Sequence, residues 1–151
     1  MHITLVSSQS SQLLREALGK GVLDSGCSKT CAGNDWLTQF VSTLNEKLRA
    51  MISEKVSNSV FRFGDGAETK SMKLVSVPIY FMDMLFIMDI EIVKYNIPLL
   101  ISNAAMRQMG MIIDFEQNTV SVQGLSMNLI FTNSGHPCIP VSNYHVGLER
   151  V

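Results

Sequence analysis

Val22-Leu23-Asp24-Ser25-Gly26-Cys27-Ser28 is the stretch on which the reading of this chain turns. Two aliphatic residues run straight into an acid, a small hydroxyl residue and a glycine. This is the pattern of a buried strand that ends by delivering a carboxylate to a tight turn. A carboxylate left unpaired in apolar surroundings becomes neutral, and a carboxyl with a displaced pKa in a cleft is a candidate for acid or base chemistry. The tripeptide Asp24-Ser25-Gly26 is also a common turn, so its meaning depends on the sequence on either side.

Upstream, residues 3–6 read as a short strand and the Ser/Gln-rich residues 7–12 as a loop or connector. Residues 13–23 read as two strand pieces around Gly19 and Gly21, the second feeding the Asp24 turn. Downstream of Gly33 the period changes. Trp36, Phe40, Leu44 and Leu48 recur every four residues, with Leu37, Val41, Met51 and Ile52 beside them, which predicts an amphipathic helix over about 34–53 starting at an Asn34/Asp35 cap. Strand signals resume at 59–63, break at Gly64-Asp65-Gly66 and return over 70–81. A glycine-bracketed acid between two such runs predicts a hairpin. Val75, Val77, Ile79 and Phe81 alternate with Ser76, Pro78 and Tyr80, and Pro78 suits an edge. A second hairpin around Met82-Asp83 leads into 85–93. After Pro98 comes the apolar run Leu99-Leu100-Ile101; Ser102 is placed to cap a short helix over 103–109 that Gly110 closes. Strands at 111–115, 119–122 and 125–131 complete an all-β pattern, a barrel or sandwich decorated by two helices.

Three segments in this order carry a resemblance to a known family. Val22-Leu23-Asp24-Ser25-Gly26-Cys27-Ser28 resembles the catalytic loop of the retropepsin-like aspartic proteases of retroviruses and retrotransposons, Phe61-Arg62-Phe63-Gly64-Asp65-Gly66 their flap, and Ile97-Pro98-Leu99-Leu100-Ile101-Ser102 the strand before their short helix. The similarity spans roughly residues 13–122. It implies a closed β-barrel, with the 34–53 helix as an insertion and one short C-terminal helix. It divides the chain into a 1–12 strand and linker, a 13–131 protease domain and a 132–151 tail. The chain is then the protease segment of a retrotransposon polyprotein, or of a host gene derived from one.

The resemblance also implies a chemistry. Peptide hydrolysis by this family needs two carboxylates side by side, one ionised and one protonated, and only one Asp-Ser/Thr-Gly occurs here. The second acid must be Asp24 of another copy, in a symmetric homodimer. Ser25 is expected to hydrogen-bond across the two-fold axis, and Gly26 to let the backbone approach water and substrate. Cys27 and Ser28 would border an extended peptide substrate. Phe63, Gly64, Asp65 and Gly66 would form a lid over it. No metal or organic cofactor is implied. Three departures stand out: Ser102 where the family has glycine, the inserted helix, and Ser134-Gly135-His136-Pro137-Cys138-Ile139-Pro140 in place of the interleaving terminal strand of viral dimers.

Composition fits a folded domain, with 46% hydrophobic residues and 17% charged, and 151 residues suffice for one core. A net charge of −1 with scattered basic residues gives no footprint for nucleic acid or an anionic membrane. The amino terminus does not read as a signal peptide, and Asp83, Asp89 and Glu91 interrupt the most apolar run before it could span a bilayer. Three cysteines imply reduced thiols and an intracellular, cytoplasmic location. Cys27, Cys31, His136 and Cys138 match a zinc set in ligand type but not in spacing, and read better as core or surface thiols. Asp114, without a following Ser/Thr-Gly, reads as a strand-end surface acid. The ten methionines read as core fillers. Two rival readings stand beside the protease: a non-catalytic, domesticated dimer that binds peptides, and a zinc-bound nucleic-acid adaptor.

Overall fold

The structure is a computed structural model that describes residues 2–3, 7–63 and 66–142, excepting the side chains of residues 2, 3, 7–11 and 63. Its first half contains β1 (His2–Ile3), α1 (Ser7–Glu16), β2 (Lys20–Leu23), β3 (Cys31–Gly33), α2 (Asn34–Ser42), α3 (Glu46–Arg49), β4 (Ser53–Lys55), β5 (Val60–Phe63) and β6 (Glu68–Lys70). The rest contains β7 (Lys73–Phe81), β8 (Met84–Val93), β9 (Leu99–Ile101), α4 (Asn103–Gln108), β10 (Ile112–Asp114), β11 (Thr119–Val122), β12 (Leu125–Asn128), β13 (Ile130–Phe131) and β14 (Pro137–Pro140). The chain is mostly β, as expected, with four helices among the described residues where two were read.

The main sheet has eight strands in the order β13-β14-β2-β9-β3-β8-β7-β4. Its centre sets the architecture, because β9 lies between β2 and β3, strands that precede it by about half the length of the chain. β9 runs parallel to β2, pairing Val22 with Leu100 and Leu23 with Ile101, and antiparallel to β3 through Cys31 and Leu100. Strands covered on both faces read as unbroken apolar runs, and Leu99-Leu100-Ile101 is one. Leu23, Ala32, Leu99 and Ile101 face a large core that includes Trp36, Phe40 and Ile90. Val22, Cys27, Cys31, Leu100 and Cys138 face a second, smaller core closed by Leu13, Ala17 and Phe61.

The expected closed barrel is not formed by these ladders: among the described residues no pairing joins β13 to β4. The sheet does curl, and the Tyr80 N–H donates to the Val141 carbonyl at 3.0 Å, linking β7 to the chain just beyond β14. Two smaller sheets, β1-β5-β6 and β10-β11-β12, complete the fold.

Other differences from the sequence reading have local causes. The Ser/Gln-rich 7–12 segment and the first strand piece of 13–23 are instead α1, whose end buries Leu13, Leu14 and Ala17 at helical spacing. The helix expected over 34–53 is two helices and a strand. Ser42 and Thr43 turn their hydroxyls back onto the Gln39 and Phe40 carbonyls, each at 2.6 Å, and Asn45 Oδ1 accepts the Leu48 N–H at 2.9 Å to cap α3 afresh. Ser53–Lys55 then pairs with β7. The N-cap of α2 is Gly33, not Asn34 or Asp35. A Cβ at Gly33 would collide with the Tyr95 carbonyl oxygen, so glycine is required by that close approach. The strand read over 70–81 is broken at Ser71-Met72 into β6 and β7, and β14, inside the segment read as a tail, pairs with β2 in the main sheet. Pro78 lies beyond the reach of β4, which covers β7 only at residues 74–76.

Candidate active site

Asp24 follows β2 directly, and the turn after it is held by backbone alone on three sides. The Asp24 N–H donates to the Ile101 carbonyl of β9 at 3.0 Å, the Cys27 N–H to the Asp24 carbonyl at 3.0 Å, and the Asn103 N–H of α4 to the Cys27 carbonyl at 3.1 Å. The side chain adds a fourth tie, since Asp24 Oδ1 accepts the Gly26 N–H at 3.1 Å. The Asp24 carboxyl is half-buried, not enclosed, and Ser25, Gly26 and Ser28 are exposed. The loop therefore offers a carboxylate, a hydroxyl and bare backbone on one rigid surface.

Cys27 is the exception among the expected site residues. Its side chain is buried in the smaller core and donates to the Lys29 carbonyl at 3.0 Å. It shapes the loop from within. Hydrogen bonding with the Cys27 side chain, and then burial, hold the neighbouring Cys31 thiol well above the ordinary thiol value; the charges of Asp24 and Glu91 act in the same direction. Burial also raises Cys138, to about 11. Thiols held protonated in this way are poor metal ligands and poor nucleophiles.

Cavities lie on both sides of the loop. One, of about 380 Å³, is lined by Leu23, Ser25, Asn103, Arg107 and Pro137 among others. The other, of about 360 Å³, is lined by Ser28, Lys29, Glu91, Ser102 and Gln108 together with apolar residues of β8 and α4. A hairpin does form here, with Val60 opposite Lys70 and Arg62 opposite Glu68, but its second strand is the short β6 and not the 70–81 run read from the sequence. Phe63 ends β5 with its side chain outside the description, Gly64 and Asp65 lie outside the described residues, and Gly66 adopts φ 83°.

Ser102 is buried and bonded through both its hydroxyl oxygen and its N–H. Its Oγ accepts the Ala105 N–H at 3.1 Å, capping α4, and also accepts from Thr30 Oγ1 at 3.1 Å, while its N–H donates to Thr30 Oγ1 at 3.0 Å. A serine here ties the far end of the Asp24 loop to α4, a bond that glycine could not make. Asp114 accepts the Glu116 and Gln117 N–H groups in an exposed turn, as a strand-end acid does.

Sequence reasoning missed the polar residues behind the loop: Lys29, Thr30, Ser59, Ser71 and Glu91. Glu91 could have been found, because it stands alone as a charge in the buried run Ile90-Glu91-Ile92-Val93. Among the described residues no group of three or more His, Cys, Asp and Glu side chains is placed to hold a metal ion, and no helix is long and apolar enough to cross a membrane.

No protein-family profile matches the chain, and no curated protein matches it by sequence. Among solved structures, it is similar to the retroviral protease-like domain of Ddi1 from Leishmania major, with 80% of this chain and 90% of that chain covered, 12% identity and a TM-score of 0.47. At that level the similarity assigns no residue a role.

Proposed function

We propose that the chain is an aspartic endopeptidase of the retropepsin-like kind, active as a symmetric homodimer and cutting peptide bonds of a retroelement-type polyprotein. The observation that carries this reading is the Asp24-Ser25-Gly26 loop, stapled to β9 and α4 with its carboxyl reaching solvent. One loop supplies one carboxylate. Two copies facing each other across a two-fold axis supply the pair, and like charges so close share a single proton. The ionised Asp24 takes a proton from water as the water oxygen attacks the scissile carbonyl carbon. The protonated Asp24 of the other copy donates to the carbonyl oxygen. Collapse of the tetrahedral adduct breaks the C–N bond, and the leaving amine receives the proton. Ser25 of each copy would brace the opposite loop, and the β5–β6 hairpin would cover an extended substrate.

The test is cleavage of a peptide mixture at mildly acidic pH by wild type, Asp24→Asn and Asp24→Ala, with and without a pepstatin-type inhibitor. Cleavage confined to wild type and blocked by inhibitor supports the reading. Cleavage that is equal in all three and insensitive to inhibitor refutes it. Peptide binding without cleavage by any of them would favour a non-catalytic module.

A further inference from the structure

Glu91 is a buried acid for which the mechanism above has no use. Its residue is 7% exposed, and its two oxygens reach two different segments. Oε2 accepts from Ser59 Oγ at 2.5 Å and Oε1 from Ser71 Oγ at 2.8 Å. Ser59 immediately precedes β5 and Ser71 immediately follows β6, so one carboxylate holds both ends of the same hairpin. The Ser71 N–H also donates to the Ser59 carbonyl at 2.8 Å, closing the hairpin base. A second line of bonds leads to the Asp24 loop: Lys29 Nζ donates to Ser59 Oγ at 2.7 Å, and the Glu91 N–H donates to the Thr30 carbonyl at 2.9 Å. Hydrogen bonds to an ionised acceptor are stronger than neutral ones, and a buried charge without partners is strongly disfavoured, so this cluster acts as a unit.

We propose that Glu91 is a positioning residue for the β5–β6 hairpin: its carboxylate fastens both hairpin ends to β8 and, through Ser59 and Lys29, sets the hairpin's distance from Asp24. The hairpin base is then fixed at both of its ends. The anchoring stands on the geometry alone; its bearing on turnover rests on the protease reading above.

Amide hydrogen exchange at neutral pH on wild type, Glu91→Gln and Ser59→Ala tests the anchoring without any need for cleavage. The expected result is exchange over residues 60–70 at least about tenfold faster in both variants, with β2 and β9 unchanged. Hairpin exchange unchanged in either variant overturns the proposal, as does equal acceleration in hairpin, β2 and β9. Should Glu91→Gln fail to fold, Ser59→Ala decides by itself. In a cleavage assay Ser59→Ala is expected to raise KM more than it lowers kcat, and a fall in kcat at constant KM counts against positioning. Exchange that loosens as expected in a protein that cleaves nothing would refute the protease and leave the anchor standing.

Discussion

Ser102 and Glu91 show how much one side chain decides in this molecule. Ser102→Ala removes the cap of α4 and the acceptor of the Thr30 hydroxyl together, leaving only the backbone bond to Thr30. Loss of a cap costs about 0.5–2 kcal/mol, so a fall in the denaturation midpoint corresponding to the upper part of that range is expected, read by urea titration. Glu91 bears on acid stability. Burial pushes its pKa up, but hydrogen bonds from Ser57, Ser59 and Ser71 and the charge of Lys29 outweigh burial and hold it below the ordinary 4.5. A carboxyl lowered in the folded state stabilises the fold above its unfolded value and loses that contribution as pH falls through the folded one. Wild-type stability should therefore drop on acidification below about 4.5. Glu91→Gln should show a flatter acid limb in denaturation midpoints measured across that window. The Asp24 turn was legible from residue types, since strand, acid, hydroxyl and glycine each fit their place. The inward rotation of Cys27 was not, because a thiol suits a core as well as a cleft.

At the scale of elements, legibility followed the strength of the local signal. The β7–β8 hairpin came directly from alternation around Met82-Asp83, and β9 with its Ser102 cap from the apolar run and the serine after it. The long helix did not survive, because periodicity over 36–52 reports only which residues face the core. Backbone competition from Ser42, Thr43 and Asn45 decided where the helix stopped. α1 was missed for the opposite reason: its Ser/Gln composition hides three apolar anchors at its end. The Met82-Asp83 turn carries φ values of 51° and 64°, both in the left-handed region, which aspartate tolerates better than methionine. Within α2, Trp36 is fully buried, stacks on Phe40 with ring centroids 5.0 Å apart, and donates from Nε1 to the Lys20 carbonyl at 3.1 Å. Trp36→Ala should cost about 3–5 kcal/mol, seen as loss of the cooperative thermal transition or a large fall in Tm.

For the molecule as a whole, the mostly β class was readable from the density of short strands, whereas sheet order was not. Closure of a barrel depends on how far strands tilt and curl, and those quantities leave no mark in a hydrophobic pattern. The proposed activity makes a demand at this scale. If one loop supplies half a site, specific activity should rise with protein concentration, and sedimentation velocity should show a second, heavier species over the same range. Activity that stays constant per chain down to the dilution at which only monomer sediments would contradict a shared site.

The placement of β9 between β2 and β3 has a consequence in time as well as in space. The bond from Thr30 to Ser102 joins residues 72 positions apart in the chain, and the Asp24 turn hangs from Ile101. Long-range pairings of this kind slow folding, because the intervening chain must be closed into a loop before they are rewarded. During synthesis α1, α2 and α3 can form early, but the Asp24 turn has nothing to hang from until residue 101 has left the ribosome. A nascent chain ending before β9 would thus hold the Asp24 turn without its anchor on Ile101.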